Sequence, residues 1–121
     1  MNNIQSPRPD TDETIEQELV RLKLTAPRIV PEDIDKAIVK ADYHVFPGTM
    51  LTVVCLTLRN GFTVTGESAC ASPENFNAVI GERIALAAAK QKIWPLLGYQ
   101  LRTMLKAREE RDLFTIEPAA G

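Results

Sequence analysis

The sequence lacks the long apolar run that a membrane-spanning helix requires. None of its 121 residues falls in an uninterrupted apolar stretch of roughly 18 residues. The first ten residues, MNNIQSPRPD, have neither the basic start nor the apolar core of a secretory signal. We therefore expect no membrane partner and a cytoplasmic location.

Residues that carry chemistry are also scarce. His44 is the single histidine, and the two cysteines, Cys55 and Cys70, match no metal-binding spacing. The chain contains no Gly-rich phosphate loop, no nucleophile elbow and no carboxylate pair at a spacing typical of acid–base catalysis. We therefore expect no enzyme activity, no cofactor and no metal, with His44 as an ordinary sheet residue and both cysteines as free thiols.

Charge is low in total but uneven along the chain. The net charge of −2 disfavours a globally basic nucleic-acid binder. Residues 82–108 nevertheless carry six basic side chains against Glu82 alone, whereas residues 1–48 carry nine acidic and six basic ones. A locally positive C-terminal segment favours a small anionic ligand or an acidic partner surface, and the alternative is a solvated helix face.

What is present is a strong β-hairpin signal over residues 50–70, MLTVVCLTLRNGFTVTGESAC. A two-residue turn at Asn60-Gly61 would mix apolar and polar side chains on both faces. A three-residue loop with Gly61 in the left-handed conformation instead pairs Leu56 with Val64 and Val54 with Gly66. Since this register gives one apolar face, we predict the longer loop, with Val53, Cys55, Thr57, Thr63, Thr65 and Glu67 on the other face.

The remaining pattern predicts an α+β fold, a three-stranded antiparallel β-meander packed against N-terminal and C-terminal helices. We expect a disordered N-terminus at 1–10, a single domain at 11–112 and a frayed tail at 113–121. The predicted strands are 42–46, 49–58 and 62–70. The predicted helices are 11–24, 31–40, 82–94 and 96–111, with Pro31 opening the second, Gly81 interrupting the start of the third and Pro95 breaking the chain before the fourth.

Single residues add detail to this pattern. Gly66 within a strand predicts a bulge or a close backbone approach, and the small residues at 85–89 predict that another helix or the sheet packs closely against the third helix. Ile80, Ile84 and Ala88 fall on one side of that helix. Ile15, Leu19 and Leu22 form a thin apolar stripe on the first helix. Trp94 and Tyr99 are expected to pack, and Leu97, Leu101, Met104 and Leu105 to point inward.

Several motifs occur together in the order found in a known family. They are YHVFPGT at 43–49, NGFTVTGES at 60–68, SPENF at 72–76 and KIWPLLGY at 92–99. Over residues 31–105 the chain resembles a widespread family of small phage and prophage accessory proteins. This resemblance extends to the first-described anti-Thoeris sponges, which sequester cyclic ADP-ribose-type signals of bacterial TIR defence enzymes without degrading them and act as oligomers. It implies a nucleotide-binding anti-defence protein.

Such a ligand needs an aromatic plane for its adenine, arginines for its diphosphate and amides for its hydroxyls. Phe76 is the candidate stacking residue, with Asn75 and Asn77 beside it at a helix start that favours anions. The candidate phosphate ligands are Arg59, Arg83, Arg102 and Arg108. The alternatives are a core contact for Phe76 and plain solvation for each arginine.

The apolar surface left on one subunit predicts a homo-oligomer. Two free sheet edges and a half-apolar open face favour a dimer at least, and the resemblance implies a hexamer as a further possibility. We expect ligand pockets at subunit boundaries, where Arg59 or Arg108 of one copy meets Phe76 of another. A second hypothesis is a phage accessory protein that binds a host protein through a sheet edge or the acidic N-terminal helix.

Overall fold

A computed structural model describes residues 12–23 and 26–116 of the chain. It confirms the α+β architecture, a three-stranded antiparallel sheet with helices before and after it. The elements in chain order are α1 (Asp12–Arg21), α2 (Pro31–Ala37), β1 (Ile38–Val45), β2 (Leu51–Leu58), β3 (Thr63–Ala69), a 3₁₀ turn (Pro73–Asn75), α3 (Ala78–Gln91) and α4 (Ile93–Ile116).

The sheet has the order β1-β2-β3, and its central hairpin has the predicted register. Leu56 pairs with Val64 and Val54 pairs with Gly66. Gly61 has a φ of 90°, a conformation that L side chains rarely adopt, and its N–H donates to Leu58 O at 2.9 Å. The three-residue loop is therefore confirmed. The predicted polar face of β2 and β3 is partly or fully exposed, and both cysteines are free thiols.

One helix, α3, covers the other face of the sheet. Val54, Leu56 and Val64 are buried against its Ala85 and Ala89, and Ile93 at the start of α4 completes this core. A side chain on Gly66 would lie 2.1 Å from Ala85 O and 2.5 Å from Ala89 N. The close approach predicted at Gly66 is thus confirmed, and it is the backbone of α3 that approaches.

The predicted start of α3 was wrong. We expected Gly81 to interrupt the helix and residue 82 to open it, but α3 begins at Ala78 and contains Gly81 as a buried residue. The physical reason is tertiary packing, because a Cβ at position 81 would lie 2.9 Å from Oγ1 of the buried Thr52. The low helix propensity of glycine is outweighed by this close contact with β2.

Strand β1 is longer and α2 shorter than predicted. We placed the helix over 31–40 and the strand over 42–46, whereas α2 ends at Ala37 and β1 spans Ile38–Val45. Ile38 pairs with Leu58 and Lys40 with Thr57, with an irregularity between them. Pairing with β2 therefore extends β1 through residues whose local pattern favoured a helix, while Pro31 does open α2 as predicted.

Helix α4 differs from its prediction at both ends. The boundary between the two helices lies at Lys92 and not at Pro95. Pro95 lies in the first turn of α4, where its missing N–H is tolerated. The helix extends to Ile116, past the predicted end at 111 and into the predicted tail; residues 117–121 lie outside the described part. Met104 is 59% exposed and Tyr99 is 78% exposed, so their expected inward packing was wrong.

The N-terminal helix α1 is attached mainly by polar contacts. It ends at Arg21, short of the predicted 24, and has no buried residue. Its Asp12 carboxylate accepts a hydrogen bond from Trp94 Nε1 at 3.2 Å, and its Glu16 carboxylate pairs with Arg28 at 2.5 Å. The predicted stripe is only partly covered, since Ile15 and Leu22 are about half exposed. The predicted disorder at 1–10 lies outside the described residues.

Candidate functional site

The predicted aromatic residue, Phe76, lies in the wall of a small cavity between the sheet and the start of α3. The cavity has a volume of about 90 Å³. Phe76 is half-buried, as expected of a ring with one face against the protein. Asn75 and Asn77 line the same cavity, as do Met50, Ser68, Ala69, Cys70, Ile80, Gly81 and Ile84. The structure therefore brings together the three predicted residues 75–77, and sequence reasoning missed Met50 and Ser68.

The local sequence explains how this wall is built. Asn77 caps α3, because its Oδ1 accepts a hydrogen bond from Ile80 N at 3.0 Å. Ser72 caps no helix, because its hydroxyl donates to Glu74, and Pro73 opens only a 3₁₀ turn. This hydrogen bond, together with one from the Glu74 backbone, lowers the pKa of the Glu74 carboxyl. The turn ends at Phe76 and fixes its position beside the cap.

An exposed apolar surface surrounds the cavity. Ile80 is 51% exposed, Ile84 is 52% exposed and the neighbouring Val79 is 66% exposed. Arg83 follows Ile80 by three residues and Val79 by four, so helical geometry puts it on the same side of α3. We call residues 79, 80, 83 and 84 the α3 patch. Large apolar side chains grouped in this way are typical of a surface that binds another molecule.

The predicted arginines are spread over the subunit. Arg83, Arg102 and Arg108 are exposed. Arg102 donates to Glu109 at 2.9 Å along α4. Within the described residues, neither Arg83 nor Arg108 forms an ion pair or a side-chain hydrogen bond. None of the three lines the Phe76 cavity, so a single subunit does not assemble the whole predicted set.

Arg59 belongs to a different place, a groove formed by α2, the tip of the hairpin and α4. Two adjoining cavities of about 380 Å³ each share Ala37, Arg59, Leu97 and Gln100 in their walls. Phe62 lines the first cavity and Met104 the second. Sequence reasoning missed this Arg59 groove. Its available signal was the stripe of Leu97 and Leu101 on α4, but the packing of α4 beside the hairpin tip is tertiary.

Among residues 12–23 and 26–116, no group of three or more His, Cys, Asp or Glu side chains is placed to hold a metal ion. In the same described part of the chain, no helix is both long enough and apolar enough to cross a membrane. His44 lies in β1, with its ring edge-on to Phe46 at 4.6 Å between centroids.

Comparison with known proteins identifies a family. The model of the phage protein (N4 Gp49/phage Sf6 gene 66) family matches residues 29–105, which is more than half of the chain. The chain belongs to this family. The match includes the sheet, the Phe76 cavity, all of α3 and the first part of α4. No curated protein and no solved structure matches the chain. Membership establishes that this is a phage protein.

Proposed function

We propose that this phage protein is an anti-defence sponge, which binds a cyclic ADP-ribose-type nucleotide and sequesters it without turnover. The observation that carries the proposal is the Phe76 cavity, which combines an aromatic ring, two amides and a helix start within one wall. Phe76 stacks on the adenine ring, and Asn75 and Asn77 bind sugar hydroxyls. The first N–H groups of α3 favour the diphosphate.

The cavity of one subunit is too small for this ligand. Nucleotide-sized pockets usually enclose roughly 300–1,000 Å³, whereas the Phe76 cavity encloses about 90 Å³. A second copy packed on the α3 patch would add the missing wall and would bury Ile80 and Ile84. Arg83 and Arg108, which are exposed and have no ion-pair partner among the described residues, then neutralise the diphosphate. The protein is accordingly proposed to be a homo-oligomer, a dimer or a hexamer, with shared pockets.

Calorimetric titration with cyclic ADP-ribose isomers tests this function, with linear ADP-ribose as the reference ligand. We expect saturable binding, and mass spectrometry should recover the ligand unchanged. Phe76→Ala should weaken binding by about tenfold or more, since one stacking contact contributes roughly 1–3 kcal/mol. The matched control is Tyr99→Ala, which removes a ring that is 78% exposed. Absence of binding to every isomer, or conversion of the ligand, would refute the sponge.

Host-protein binding is the second candidate function, and one observation favours it. Helix α1 has no buried residue, yet it presents exposed acidic side chains such as Glu13 and Glu18. Such a surface suits a basic partner. Charge reversal of Glu13 distinguishes the two functions, because it should abolish binding of a host protein and leave nucleotide binding unchanged.

A further inference from the structure

We propose that the Arg59 groove is a second binding site, for a small amphipathic anion with an aromatic body and one carboxylate or phosphate group. This site is separate from the Phe76 cavity, since the two share no lining residue. The proposal does not depend on the sponge function.

The anion-binding group is Arg59. Its backbone N–H donates to Ala37 O at 3.0 Å, and its side-chain Nε donates to Lys36 O at 2.5 Å. These two bonds fix the guanidinium against the end of α2. Among the described residues, nothing hydrogen-bonds to its terminal nitrogens. A fixed guanidinium with its terminal N–H groups available suits bidentate binding of a carboxylate or phosphate.

The other two cations of the groove each have a carboxylate partner. Arg28 pairs with Glu16 at 2.5 Å, and Lys36 lies 3.8 Å from Glu32. The Asp33 carboxylate accepts a hydrogen bond from Val30 N at 2.9 Å. Arg59 is therefore the cation of this groove that is left to bind a ligand, and one anionic group is enough to neutralise it.

The walls of the groove favour an aromatic body over a nucleotide. Leu58, Leu96 and Leu97 line the first cavity, and Phe62 contributes a ring that is 56% exposed. Beside Arg59, the polar side chains of this cavity are Asn60 and Gln100. Asn60 Oδ1 already accepts from Phe62 N at 3.0 Å. Too few polar groups remain for two riboses and a diphosphate, whereas a flat apolar ring can stack on Phe62.

The test titrates the full-length protein with indole-3-acetate and 1-naphthyl phosphate, by calorimetry and by amide NMR. We expect binding of at least one of them, with shifts at residues 59–62 and 96–100. Indole-3-acetamide, the neutral counterpart, should bind more weakly by a factor of about ten or more, because it cannot form the charge-assisted bond to Arg59. Binding of neither acid at millimolar concentration would overturn the proposal.

Two variants locate the site. Arg59→Gln removes the cation, and Gln100→Trp fills the groove from an exposed position of α4 without touching the Arg59 bonds. Each should weaken binding by about tenfold or more. Lys106→Gln, an exposed charge on α4, is the matched control and should bind as the parent protein does. Phe76→Ala should also bind the aromatic acids normally, and this result would distinguish the Arg59 groove from the proposed sponge pocket. Binding that survives both groove variants would refute the assignment.

Discussion

At the scale of single residues, Gly66 controls how closely the sheet and α3 can pack. Gly66→Ala should destabilise the fold by about 3 kcal/mol or more, because its Cβ meets the backbone at both Ala85 and Ala89 and neither can move aside easily. Gly98→Ala is the control, since a Cβ there meets nothing within 4 Å. That helix substitution should stabilise by about 0.5–1 kcal/mol. Urea denaturation measures the free energy of unfolding of both variants. Equal effects of Gly66→Ala and Gly98→Ala would contradict the close packing at Gly66.

Ser72 acts on the titration of Glu74. Since the Ser72 hydroxyl is the main cause of the lowered pKa of Glu74, Ser72→Ala should raise that pKa towards its ordinary value. The rise should be incomplete, because the Glu74 backbone bond remains. In the parent protein, the lowered pKa of Glu74 stabilises the fold at pH values above the ordinary pKa of a glutamate. This stabilisation is lost as the pH falls through the lower pKa of the folded state. Carboxyl NMR titration checks it, and an unchanged Glu74 pKa would contradict the hydrogen bond.

The role of a residue could be predicted from the sequence where neighbouring residues indicate it, and not where the role depends on a contact with a distant element. Gly61 was predicted correctly because its turn imposes a local requirement on glycine. Gly66 was predicted correctly because a glycine within a strand already indicates a close approach, although the backbone that approaches is that of α3. Gly81 was misread, since the reason for this glycine is its contact with Thr52 on β2. Tyr99 was misread as a packed residue because aromatic character alone does not show on which side of α4 it lies.

At the scale of elements, α1 is held to the rest of the subunit chiefly by its polar contacts. Trp94→Phe keeps an aromatic ring but removes the Nε1 donor to Asp12, so it should cost about 1 kcal/mol. Hydrogen exchange should show that protection is lost in α1 and kept in α3. Gln91→Ala is the control, because the contact of Gln91 with Asp12 is long, at 3.5 Å. Loss of protection throughout the sheet would show instead that α1 stabilises the whole fold.

Elements were predicted well where periodicity and turn chemistry agreed. The β2–β3 hairpin has a two-residue period and an Asn-Gly pair, and its register followed from keeping one face apolar. The boundary between α2 and β1 did not follow, because Ile38 has a strand conformation only through its pairing with Leu58. The same distinction applies to the candidate sites. The wall formed by Phe76 and its two asparagines could be predicted because these residues are neighbours in sequence. The Arg59 groove could not, because it joins three distant elements.

At the scale of the whole molecule, the exposed α3 patch predicts assembly. Ile84 is 52% exposed at the edge of the Phe76 cavity, so a charge there is solvated in a free subunit but is buried without a partner in an assembly. Burying an unpaired charge is costly. Ile84→Glu should therefore convert the proposed oligomer into monomers of 13.4 kDa while leaving the unfolding transition of the subunit nearly unchanged.

Light scattering and calorimetry on the same samples measure assembly and nucleotide binding together. If the pocket is shared, Ile84→Glu should abolish both assembly and nucleotide binding, because the second wall and its arginines come from the neighbouring copy and because the new carboxylate lines the cavity and repels the diphosphate. Leu113→Glu changes a position on α4 that is 70% exposed, and this variant should keep both assembly and nucleotide binding. A parent protein that is monomeric at micromolar concentration would refute the shared pocket. Monomeric Ile84→Glu that still binds cyclic ADP-ribose at parental affinity would keep the sponge but place its pocket within one subunit.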